Sequence, residues 1–87
     1  MHAVVVRVAV SDREAADHYV REEIAPAVAQ APGFVAGYWT RKVNSGLGMA
    51  VFESEEAAVT MSRWVPSMAA DFVTVEDVEV REVLAHA

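Results

Sequence analysis

No cysteine occurs anywhere in the chain. Its absence excludes disulfides, thiolate-bound zinc and a cysteine nucleophile. Basic residues are also scarce: seven Lys and Arg stand against 13 Asp and Glu, for a net charge of −6. Nucleic-acid phosphates and anionic membrane surfaces both call for basic stripes, so neither is an expected partner. No apolar run approaches the ~20 residues that span a bilayer. The chain enters a strand at once (His2-Ala3-Val4-Val5-Val6), without the charged segment, apolar core and cleavage site of a secretory signal. The expected setting is the cytoplasm. There is no Gly-rich phosphate loop, no dinucleotide fingerprint and no Ser-His-Asp arrangement. His18, with Glu14 and Glu22 four residues to either side, reads as a solvated helix face, and no metal site is expected.

Apolar residues, by contrast, are plentiful. They make up 54% of 87 residues, somewhat above the roughly 45–50% of an ordinary soluble domain. A single domain covering residues 1–87 has a modest core, so the excess calls for a second buried surface, most simply one between subunits.

The elements follow from punctuation and periodicity. Ala3 to Val10 is β-branched and apolar on both faces, with Val4, Val6, Val8 and Val10 on one side and Val5, Arg7 and Ala9 on the other. This is a strand covered twice. Ser11 and Glu14 have capping-box spacing, and a helix follows to about Ile24. Ala16, Tyr19, Val20, Ile24 and Ala27 share its apolar face, and Glu23 falls between Tyr19 and Ala16 on that same side. Pro26 must kink or restart the helix, and Pro32-Gly33 ends it.

Phe34 to Val43 and Leu47 to Glu53 read as a hairpin turning at Asn44-Ser45-Gly46. Ser54 caps a second helix, about Glu55 to Val65, whose apolar stripe is Ala57, Ala58, Met61, Trp64 and Val65. Pro66 stops it, and Met68 lies in a short turn beyond. The last strand falls within Val73 to Leu84. Its alternation slips, and a bulge near Glu76-Asp77 reconciles the two halves.

The order β-α-β-β-α-β implies a ferredoxin-like α+β fold, a four-stranded antiparallel sheet with both helices on one face. The other face is still apolar. The expected assembly is therefore a homodimer in which two bare sheet faces meet. Arg7 is expected to pair across that interface with an acid such as Glu79 or Glu82, or else to bind an anionic ligand.

Three groups of residues carry a family resemblance: Pro32-Gly33-Phe34, Gly37-Tyr38-Trp39 and Phe52-Glu53-Ser54-Glu55-Glu56-Ala57. With this element order they resemble the dimeric α/β-barrel superfamily, and within it the antibiotic biosynthesis monooxygenase-like domains. The resemblance implies a ligand pocket between helices and sheet. It also implies oxidation of electron-rich phenols, anthrones or quinols by O2 with no flavin, metal or haem cofactor. Trp64 resembles the helix tryptophan that such proteins set against their ligand. The haem degraders of the superfamily carry an asparagine near the first strand and a histidine beyond that tryptophan. The only asparagine here is Asn44, and no histidine lies between Trp64 and His86.

The candidate ligand-binding residues are Trp64, Met61, Met68, Trp39 and Tyr38. The methionines and aromatics suit a flat ring, and ordinary core packing explains the same pattern. Tyr38 and Trp39 point to opposite sides of their strand, so one faces the helices and the other the open face. Glu23 and Tyr19 are the candidate catalytic pair, because a half-buried carboxylate four residues from a phenol can accept a proton. The competing reading turns Glu23 outward at Pro26 or pairs it with an arginine such as Arg7 or Arg63. The sequence thus leaves open an oxygenase of a small aromatic or polyketide-like substrate and a non-catalytic binding or structural dimer.

Overall fold

The computed structural model describes residues 1–87 and contains the four-stranded antiparallel sheet in the order β2-β3-β1-β4. The strands are β1 (His2–Val10), β2 (Phe34–Lys42), β3 (Ser45–Phe52) and β4 (Val73–Glu82). The helices are α1 (Arg13–Tyr19), α2 (Ala25–Ala29) and α3 (Glu55–Trp64), with a short 3-10 turn, Val65–Met68, after α3. This is the ferredoxin-like α+β arrangement expected from the element order. No helix is long and apolar enough to cross a membrane.

Between α1 and α2 the chain does not break at Pro26. It widens into a π-helical turn, Val20–Ile24, in which the Ala25 N–H bonds to the Val20 carbonyl. Pro26 then sits in the first turn of α2. A proline ring clashes with the carbonyl four residues back, and the wider turn draws that carbonyl aside.

The turn also shifts the helical phase. Ala16, Val20, Ile24 and Val28 form the inward stripe at steps of four. In a regular α-helix each such step drifts ~40°, and the extra residue of the wide turn cancels the drift. Val28 is therefore buried and Ala27 is exposed, the reverse of the expectation from a regular period. The cap of α1 is also one residue later than the capping-box reading. Asp12, not Ser11, accepts from the Ala15 N–H, at 3.1 Å, because the Ser11 N–H is held by the Phe72 carbonyl at 3.0 Å. Ser54 caps α3 as expected, accepting from Ala57 N–H at 3.1 Å.

The hairpin turns at Val43-Asn44, with Lys42 opposite Ser45, so Ser45 and Gly46 belong to β3 rather than to the turn. Val43 takes φ 56°, and the Asn44 carbonyl accepts from Val10 N–H at 2.8 Å, which fastens the turn to the end of β1. The bulge in β4 falls at Glu76: Arg7 faces Asp77 and Val8 faces Val75.

Gly33 has φ +82°, a conformation that a Cβ opposes. Its carbonyl accepts from Glu53 N–H at 2.8 Å. The Pro-Gly-Phe turn is thereby held against the start of α3.

The inner face of β3 tapers. Phe52, Ala50, Gly48 and Gly46 point toward the helices in that order, opposite His2, Val4, Val6 and Val8 of β1. At the Phe52 end the layers are packed solid by Val4, Val28, Ala50, Phe52, Ala58, Met61 and Val65. Toward the hairpin the side chains on β3 shrink to hydrogen, and the two layers no longer fill the space between them.

Candidate functional site

That unfilled half is a cavity of about 360 Å³ between the first helical segment and the sheet, and 18 of its 24 lining residues are hydrophobic. Val6 and Val8 of β1, Gly46 and Gly48 of β3 and Trp39 of β2 lie along its sheet side. Tyr19, Val20 and Ile24 of the helical segment cover it, and Met61 and Met68 close one end.

Trp39 lies on the floor because two glycines make room for it. A Cβ on Gly37 would stand 2.7 Å from the outer edge of the indole benzene ring, and one on Gly48 would stand 2.9 Å from the pyrrole edge. Real side chains do not approach that closely. The indole is therefore laid along the sheet across two strands, and its N–H makes no hydrogen bond within the chain.

Tyr19 forms part of the opposite wall. Its hydroxyl donates to the Met68 carbonyl at 2.8 Å, and its ring meets Phe72 edge-on with centroids 5.6 Å apart. With the proton committed to Met68, the remaining capacity of this hydroxyl is to accept.

Only three charged residues line the cavity: Asp17, Arg21 and Arg41. Arg41 shares the inward face of β2 with Trp39, two residues on. Its Nε and Nη2 donate to the two Asp17 carboxylate oxygens, each at 2.8 Å, and its Nη1 donates to the Val43 carbonyl at 3.1 Å. The Arg41 hydrogen bonds hold the Asp17 carboxyl below the usual carboxylate range, with smaller contributions from the charges of Arg41, Arg21 and Arg13. This two-bond clasp ties α1 to β2 beside the cavity. Strand alternation from Trp39 would have placed Arg41 on the inner face, but nothing in the sequence pairs it with Asp17.

The structure thus brings Tyr19, Trp39, Met61 and Met68 to one cavity and leaves three sequence candidates outside it. Glu23 is exposed and does not line the cavity. It sits in the π turn, whose changed phase carries it off the apolar stripe, so the half-buried carboxylate expected from a regular helix is absent. Trp64 is 58% exposed and also lies off the cavity wall. The buried residues of α3 and the turn after it are Ala58, Met61 and Val65, and Trp64 stands ~90° from the centre of that stripe at 100° per residue. Tyr38 is 71% exposed on the opposite face of the sheet, so Trp39 is the aromatic of this pair that faces inward. No group of three or more His, Asp or Glu side chains is placed to hold a metal ion.

No family model matches the chain, and no curated protein matches it either. Solved structures do. A mutant of SnoaB, a cofactor-independent oxygenase from Streptomyces nogalater, superposes with a TM-score of 0.73 and 24% identity, over 98% of this chain and 94% of that one. An ethyl tert-butyl ether d (EthD) family protein from Bacillus halodurans gives a TM-score of 0.64 and 14% identity, over 97% of this chain and all of that one (100%). The chain has the fold of these proteins along almost its whole length, the fold that the resemblance to the dimeric α/β-barrel superfamily implied.

Proposed function

We propose that the cavity binds a small planar aromatic, polyketide-like or quinol molecule and that the bound ring is oxidised by O2 without a cofactor. The observation that carries this reading is the hollow, apolar half of the helix–sheet interface, floored by an indole, in a fold shared with a cofactor-independent oxygenase. Its volume, about 360 Å³, falls within the ~300–1,000 Å³ of small-molecule sites.

Each wall has a task. Trp39 and the two methionines offer flat and adaptable apolar contact. Tyr19 accepts a hydrogen bond from a phenolic hydroxyl and so fixes the ring's orientation. The only ionisable side chain types lining the cavity are those of Tyr19, Asp17, Arg21 and Arg41, and the lone carboxylate is tied up by Arg41. The substrate must therefore supply its own acidity, and an anthrone or quinol does. Its proton leaves to water at the mouth. An electron passes from the carbanion to O2, and the radical pair combines to a hydroperoxide. Loss of water then leaves a carbonyl. One oxygen atom enters the product, the other becomes water, and all four electrons come from the substrate, so no further reductant is needed.

A second reading keeps the ligand and drops the turnover. It is favoured by the same observation on Asp17: the cavity holds no free carboxylate or imidazole to act as base. In both readings two copies pair through the open sheet faces, with Arg7 facing an acid of the other copy, and the setting is cytoplasmic.

Oxygen uptake and tryptophan fluorescence, measured with a panel of anthrones and hydroquinones on wild type, Tyr19→Phe and Trp39→Phe, separate the readings. Uptake that falls about fivefold in Tyr19→Phe, the scale of one lost neutral hydrogen bond, supports the oxygenase. Binding without uptake above the uncatalysed rate leaves the binder. A panel that neither binds nor reacts removes the cavity from both.

A further inference from the structure

The mouth of the cavity carries more positive than negative charge in a chain whose net charge is −6. Among the lining residues two arginines stand against one aspartate, and the aspartate is fully engaged by one of them. Arg41 uses Nε and Nη2 on Asp17 and Nη1 on the Val43 carbonyl, so its fork has little left to offer a ligand. Arg21 is different. It lies on the rim one turn beyond Asp17, makes no ion pair and donates no side-chain hydrogen bond. Its sequence neighbours Glu22 and Glu23 are exposed and do not line the cavity. Arg21 and Ile24, three residues apart, both line the cavity, while those two glutamates lie off its wall.

An unpaired guanidinium at the open end of an otherwise apolar cavity has one evident complement. Its planar fork matches a carboxylate with two parallel hydrogen bonds. We propose that Arg21 makes this cavity selective for planar aromatic ligands bearing a carboxylate, with the acid group at the mouth beside Arg21 and the rings running inward over Trp39. The proposal rests on the reading of the cavity as a ligand site, and it adds the class of ligand. Asp17, locked to Arg41, keeps that second arginine from competing for the acid and holds the rim in place.

The test is equilibrium binding of anthracene-2-carboxylate and of its neutral counterpart anthracene-2-carboxamide, followed by tryptophan fluorescence and calorimetry. The proteins are wild type, Arg21→Gln, Arg21→Lys and, as a control of equal charge change away from the cavity wall, Arg13→Gln. Wild type is expected to prefer the carboxylate by about tenfold, the scale of a charge-assisted hydrogen-bonded pair. Arg21→Gln should erase the preference, weakening the carboxylate by more than the carboxamide. Arg21→Lys should keep part of it, and Arg13→Gln all of it. Equal affinity of wild type for the two probes overturns the proposal and leaves the cavity reading standing, as does a preference that survives in Arg21→Gln. Failure of both probes to bind wild type overturns the proposal together with the cavity reading.

Discussion

Asp17 on α1 and Arg41 on β2, 24 residues apart in the chain, are joined by two parallel hydrogen bonds of 2.8 Å, and both side chains remain 30% exposed. The pair closes the hairpin end of β2 onto the helix that roofs the cavity. Its pH dependence follows from the Asp17 carboxyl, which Arg41 holds below its ordinary value of 3.8. A carboxyl depressed in the folded state stabilises above its unfolded value, and that contribution disappears as pH falls through the folded value. The stability difference between wild type and Asp17→Asn should therefore be constant from pH 7 to pH 5 and shrink below pH ~4. Urea denaturation midpoints of the two proteins across that range check it. A difference that persists unchanged at pH 2 would mean that Asp17 acts through something other than its charge.

The seat of Trp39 gives a prediction of the opposite kind, where adding atoms matters. A methyl group on Gly48 would fall 2.9 Å from the indole. The backbone cannot yield there, because Gly48 is paired with both Val6 and Trp39 in the middle of the sheet. The ring must rise into the cavity. Gly48→Ala is thus expected to lower stability by about 1 kcal/mol, the low end of overpacking because the ring has space to enter. It should also weaken binding of anthracene-type ligands and shift the tryptophan emission. Unchanged emission together with unchanged ligand affinity would place the indole elsewhere.

The contrast between these two features marks what can be read from the chain alone. Strand alternation, the caps and the Pro-Gly break gave the element order, and element order restricts the topology to very few choices. The β4 bulge was legible because Val73 and Val75 are out of phase with Val78 and Val80, a conflict within one strand. The π turn was not legible. Pro26 announces a disturbance but not its form, and a kink, a restart and a widened turn each leave a different residue facing inward. Placing Glu23 on the apolar side followed from holding the period at 3.6 through Val20–Ile24, ahead of the proline. The cavity itself did leave a trace. Phe52, Ala50, Gly48 and Gly46 fall on one face at steps of two, and their decreasing size along β3 says where packing stops. The Asp17–Arg41 clasp left none, since the meeting of two exposed side chains from separate elements depends on distances that no periodicity encodes.

Val43 offers a test of local strain. It is a β-branched residue at φ 56°, 63% exposed, in a two-residue hairpin turn. The left-handed region costs a residue with a Cβ ~1–2 kcal/mol. Val43→Gly removes that strain, gives up little burial, and concedes ~0.4–1 kcal/mol to the freer unfolded chain. The net expectation is a stabilisation of about 0.5–1 kcal/mol, read from the urea midpoint with the slope unchanged. Destabilisation would show that the valine side chain contributes packing that outweighs its backbone strain.

The open face of the sheet bears on the assembly. Tyr38 (71% exposed), Leu47 (45%) and Met49 (42%) alternate with the inward residues of β2 and β3, and Val5 stands opposite Met49 on the neighbouring strand. These side chains form a continuous apolar surface across three strands. Monomeric soluble proteins seldom leave such a patch uncovered, and a second copy of the same face is self-complementary under a twofold axis. The proposed dimer is then sensitive to charge at Val5. An aspartate there would lie between Met49 and Glu79 of its own sheet and carry one further negative charge in each copy into the proposed interface. Val5→Asp should sediment at the 9.4 kDa of a single chain and keep wild-type circular dichroism, while wild type sediments at twice that mass. Val6→Asp places the same charge on the inner face beside Gly48, where water cannot solvate it, and should unfold the protein instead. If wild type is a monomer at micromolar concentration, or if Val5→Asp remains a dimer, the two sheets do not meet through this face, and the apolar excess of the sequence must be covered in another way.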